Sequence, residues 1–117
     1  MNPTNPIPLS QPSITNLERD AVMSVMDSAT LSLGPKILEF EEAIAQVTEN
    51  THAVAVNSGT SGLALALEAL NIGPGDAVIT TPYSFVASAN CILMRGAEPL
   101  FADIEPDTWN LDPVAVR

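Results

Sequence analysis

The 117 residues are 46% hydrophobic, enough apolar material for one small packed domain. Fourteen carboxylates against four basic residues leave a formal charge of −10, and such a surface repels both nucleic-acid phosphates and anionic lipid. One cysteine provides neither a disulfide framework nor a metal quartet, no run approaches the roughly 20 apolar residues that span a bilayer, and the start has no basic, apolar leader; the cytoplasm is the expected compartment.

Residues 1–13 hold four of the ten prolines and are expected to form an extended arm. Residues 14–50 read as two helices. Thr15-Asn16-Leu17-Glu18 has capping-box spacing, and Ala21, Val22, Val25, Met26 and Ala29 recur at helical intervals, so the first helix is expected to reach about Thr30. Gly34 breaks the pattern and Pro35 suits a first helical position; Ile37, Phe40, Ile44 and Val47 then form one stripe.

From residue 51 to 117 the period changes. "HAVAV" reads as a buried strand, "SGLALALEALN" as a helix and "GPGD" as a turn. "AVITT" reads as a second strand, "SFVASANCILMRG" as a helix and "EPLFADI" as a third strand. The β-α-β-α-β order predicts an α/β fold with a mostly parallel sheet. Cys91 falls in an apolar helical pattern and reads as a buried structural thiol; lone His52 reads as structural or exposed. Asp112-Pro113 opens a further helix that stops before two turns. Three strands need more cover than this chain supplies. The expectation is a piece of something longer, or a sheet completed by a partner chain.

The stretch Asn57-Ser58-Gly59-Thr60-Ser61-Gly62 stands where the first expected strand meets a helix. A helix N-terminus offers free N–H groups and the positive end of the peptide dipole. Gly59 and Gly62 remove Cβ obstruction, and Thr60 and Ser61 add hydroxyls. Residue types alone leave two readings open, a phosphate seat or ordinary capping by Ser and Thr. No G-x-G-x-x-G and no Walker A loop is present. By pattern alone Phe85 is a core aromatic.

In order and at these spacings, "AVAVNSGTSGLALALEALNIGPGDAVITTPYSF" and "GAEPLFADIEPDTWNLDP" resemble the DegT–DnrJ family of pyridoxal-phosphate (PLP) dependent sugar aminotransferases. "LGPKILEFEEAIA" and the proline-rich start resemble its N-terminal segment. The resemblance implies the opening portion of a fold-type-I PLP-transferase large domain, preceded by the arm and the two helices. It implies pyridoxal 5′-phosphate as cofactor, with Gly59, Thr60 and Ser61 around the phosphate. It reverses the reading of Phe85, whose ring would stack on the pyridine. Tyr83 and Asp103 match family positions without a catalytic role, and no metal is implied. "GDAV" departs from the usual "GDEV", and Gly62 from a frequent alanine.

The implied reaction moves an amino group from an amino acid, typically glutamate, to a keto-sugar nucleotide, as in polysaccharide, lipopolysaccharide or amino-sugar biosynthesis. A homodimer with active sites at the subunit interface is implied as well. Transamination needs a Schiff-base lysine and a carboxylate on the ring nitrogen. The only lysine, Lys36, matches a non-catalytic position, and the family places both groups beyond the position of Arg117. No catalytic residue is therefore expected within the chain, and alone it is expected to be inactive. Two alternatives remain: a non-catalytic truncated product or interaction partner, and another fold-type-I PLP enzyme.

Overall fold

The computed structural model describes residues 7–117. The chain divides into two compact units, Met1–Ala55 and Val56–Arg117. Part of the expected arm, residues 1–6, lies outside the described residues, and residues 7–13 carry no helix or strand apart from one bend.

In the first unit, α1 spans Asn16–Asp27. The capping box forms as its spacing requires: Thr15 Oγ1 accepts from the Leu17 amide at 3.2 Å, and Glu18 Oε2 accepts from the Thr15 amide at 2.6 Å. The helix stops short of Thr30. Ser28 Oγ donates to the Val25 carbonyl at 2.7 Å, and Ala29 turns left-handed at φ 54°, which ends the ladder. α2 spans Pro35–Val47, with Pro35 at its first position, where the missing N–H is no loss.

The expected strand at residues 52–56 is not formed among the described residues. A strand exists through its ladder, and these residues pair with no neighbour. The Ala55 amide is taken instead by Glu41 Oε1 at 2.8 Å, and Val54 is 77% exposed.

The second unit carries the rest of the α/β pattern. α3 spans Gly59–Ala69, β1 Ala77–Thr80, α4 Ala87–Met94 and β2 Glu98–Phe101. The two strands are parallel, with Ala77 opposite Glu98 and Thr80 opposite Phe101. Among the described residues the sheet therefore has two strands rather than the three expected. The Glu98 and Ala102 amides donate towards the first strand, to Asp76 and Thr80 at 2.9 Å each. Pro99, one residue out of phase, keeps its missing donor on the open edge.

α4 crosses between the strands and packs on both, while α3 packs on α4. Cys91 (4% exposed), Ile92 (2%) and Ala97 form the core, with Ala64, Leu67, Ile72 and Val78 packed against it. Arg95, at the C-cap of α4, makes two polar links: its Nε donates to the Ile72 carbonyl in the segment before β1 at 3.3 Å, and its guanidinium pairs with Glu68 on α3. Just past the α4 C-cap Arg95, Gly96 turns left-handed at φ 74°, which favours glycine, and an added Cβ would press on Pro74 Cγ at 3.2 Å. The expected helix at Asp112-Pro113 is only a turn, started by Asp112 Oδ1 accepting from the Val114 amide at 2.8 Å.

Candidate functional site

The α3 N-terminus decides how much of the sequence's small-residue run is left for a ligand. Ser58, at the N-cap, accepts from the Ser61 amide at 3.1 Å. The Ser61 hydroxyl donates to Asn57 Oδ1 at 2.7 Å and lies 3.0 Å from Ser58 Oγ. The Gly62 amide donates to the Ser58 carbonyl at 3.1 Å. Self-capping therefore consumes the donors at positions 61 and 62. The amides of Gly59 and Thr60 and the Thr60 hydroxyl have no hydrogen-bond partner among the described residues. These are the orphan donors of a helix start.

They are not sealed over. Gly59, Thr60 and Leu63 from α3 line one open hollow with Phe85, Ala87 and Ser88, of about 510 Å³. A Cβ placed on Gly59 would meet nothing within 4 Å. The hollow is of a size that takes a small cofactor. Its other wall is the loop after β1 and the first turn of α4, whose N-cap, Val86, makes no side-chain cap bond. Two helix starts and their positive dipole ends thus border one space at the carboxyl side of a parallel strand. Phe85 stands in it 77% exposed, unlike a core aromatic.

Of the four residues singled out in the sequence, the structure brings Gly59, Thr60 and Phe85 together. Ser61 is held aside, its hydroxyl turned to Asn57. Leu63, Ala87 and Ser88 were not singled out. Their signal was positional: each lies in the first turn or two of a helix that borders the hollow. Tyr83 and Trp109 pair at 5.2 Å between ring centroids and 59° between planes, with Trp109 at φ 63°. Lys36 is ion-paired to Glu39 at 2.5 Å on the exposed start of α2. No helix among the described residues is long and apolar enough to cross a membrane.

Residues 12–117 match the DegT/DnrJ/EryC1/StrS aminotransferase family. The chain belongs to that family. Among relatives, the spore coat polysaccharide biosynthesis protein SpsC of Bacillus subtilis (strain 168) is 49% identical over 111 residues, which are 95% of this chain and 28% of SpsC. An aminotransferase from Psychrobacter cryohalolentis superposes with a TM-score of 0.86 at 38% identity, over 93% of this chain and 28% of its own. The PLP-form of the putative sugar aminotransferase Spr1654 from Streptococcus pneumoniae superposes with a TM-score of 0.88 at 36% identity, over 94% of this chain and 28% of its own. The chain thus spans little more than a quarter of the length of these family members. Its architecture is part of a fold-type-I domain, and the family is that of PLP-dependent sugar aminotransferases.

Proposed function

We propose that this chain supplies the phosphate seat and ring-stacking wall of a PLP site, as part of an aminotransferase that moves an amino group from glutamate to a keto-sugar nucleotide. The supporting observation is the single hollow that joins the unpartnered donors of Gly59 and Thr60 to the exposed ring of Phe85. On this reading the two amides and the Thr60 hydroxyl take the phosphate. Ser61 adds its hydroxyl by rotating off Asn57, and Gly59 leaves the approach clear. Phe85 would supply the stacking surface for the ring, and Leu63 and Ala87 would help keep water from it. When bound, PLP supplies the electron sink on which an amino group changes hands.

The proposal extends to a homodimer of the whole enzyme in the cytoplasm, and to an organisation of arm (1–13), paired helices (14–50) and cofactor domain (51–117). The chain by itself holds and orients the cofactor without catalysing. Its only lysine is committed to Glu39 on a helix surface, and covalent chemistry needs an amine at the ring.

Pyridoxamine phosphate is the direct probe, because its amine cannot form a Schiff base with lysine and it reports non-covalent binding of phosphate and ring. Equilibrium dialysis should show binding that is lost with pyridoxamine, which lacks the phosphate, and weakened about tenfold or more by Thr60→Val. Equal binding of the two ligands would remove the seat. Formation of amino sugar by the 117-residue chain, given PLP, glutamate and a keto-sugar nucleotide, would overturn its assignment as inactive.

A further inference from the structure

Phe85 lines two hollows at once. One is the space bordered by Gly59 and Thr60; the other, of about 260 Å³, is bordered by Thr81, Ser84, Ser88 and Phe101. The ring is thus a partition with room to swing to either side, and its exposure means that packing alone does not choose the side. Residues 81–86, which carry it, form neither helix nor strand. Five bonds define this loop among the described residues. The Tyr83 amide donates to Thr81 Oγ1 at 3.1 Å, the Ser88 amide donates to the Phe85 carbonyl at 3.0 Å, and the Ala89 and Asn90 amides donate to the Val86 carbonyl at 3.2 and 3.0 Å. The fifth joins the Ser84 and Ser88 hydroxyls at 2.9 Å. It is the only one of the five made between side chains, and it spans Phe85 from the residue before it to the first turn of α4.

We infer that the Ser84–Ser88 hydroxyl pair is a clamp that holds the Phe85 ring on the cofactor side, which makes both serines positioning residues. The inference rests on the cofactor reading above. It assigns the stacking geometry to a hydrogen bond outside the stacking residue. Ser88 borders both hollows but Ser84 only the second, so Ser84→Ala removes the bond without removing a group from the lining of the cofactor hollow.

The test uses pyridoxamine phosphate with Ser84→Ala, Ser88→Ala, the double variant and Ser88→Thr. Equilibrium dialysis gives Kd, and circular dichroism in the ligand's own absorption band reports how firmly the ring is held. Each single alanine should raise Kd roughly three- to tenfold and diminish the induced signal. The double variant should be no worse than either single, and Ser88→Thr, which keeps the hydroxyl, should restore both readouts. Losses that multiply in the double variant would mean that the serines act separately, and would overturn the clamp. If the serine variants match the parent while Thr60→Val binds weakly, the clamp fails and the seat stands. If the parent chain binds no pyridoxamine phosphate, both fall. Ser84 is exposed on a loop, so its variant remains informative should Ser88→Ala fold poorly.

Discussion

Gly59 separates what a residue does for the fold from what it does for a ligand. Nothing lies within 4 Å of where its Cβ would be, and its φ is not left-handed. Gly59→Ala should leave the fold intact and stabilise it by about 0.5 kcal/mol, through fewer unfolded conformations. The same methyl would stand at the mouth of the orphan amides. Pyridoxamine phosphate should then bind about tenfold more weakly while the melting temperature holds or rises. An alanine variant that binds normally would show that no anion approaches this backbone. Residue type alone raised Gly59 and Thr60 as a phosphate seat beside ordinary capping. Phe85 read as a core aromatic by pattern, and only the family resemblance turned it towards a ligand; its exposure in the hollow departs from the core reading. Ser61 was not legible in the same way: its type says donor, but Asn57 four residues back sets where it points. Ser88 was missed because a serine in a helix's first turn reads as an ordinary polar residue until the loop folds back to Ser84.

At the scale of elements, local signals carried the helices. Capping box, Pro at the first position and apolar stripes are all read within one or two turns, and α1 to α4 follow them. The stretch 52–56 was misread because an apolar run reports burial, whereas a strand requires a neighbour that no local pattern names. The capping box also gives α1 a pH response. Hydrogen bonds from the Thr15 hydroxyl and then from the Thr15 amide hold the Glu18 carboxyl below the ordinary carboxylate range. A group depressed on folding stabilises above its unfolded pKa, and that contribution fades as pH falls through the folded value. The unfolding midpoints of the parent and Glu18→Ala should therefore differ most at neutral pH and converge in acid below the carboxylate range. Thr15→Ala should cost about 1 kcal/mol near neutrality. A gap between parent and Glu18→Ala that is constant across pH would show that the carboxylate is not the capping group.

For the whole molecule, the decisive fact is how little is fully inside. Ala45, Ala87, Ala97, Ala102, Cys91 and Ile92 are the buried apolar residues among those described, and no large side chain is completely enclosed. Four of the six are alanines, so Ile92 contributes a disproportionate share of the buried apolar area in the Val56–Arg117 unit. Ile92→Ala should cost about 2–5 kcal/mol, comparable to the entire stability of a small domain. Trp109, the sole tryptophan, lies in that unit and reports its unfolding by fluorescence. A ligand that binds only the folded state adds RT ln(1 + [L]/Kd), about 2.7 kcal/mol at one hundred times Kd. Saturating pyridoxamine phosphate should therefore raise the Trp109 transition of the parent and return much of what Ile92→Ala removes. At the same ligand concentration the gain should fall to about 1.4 kcal/mol, roughly half, once Gly59→Ala or Thr60→Val weakens binding tenfold. If the ligand raises the transition equally in those variants, it stabilises the unit from somewhere other than the start of α3.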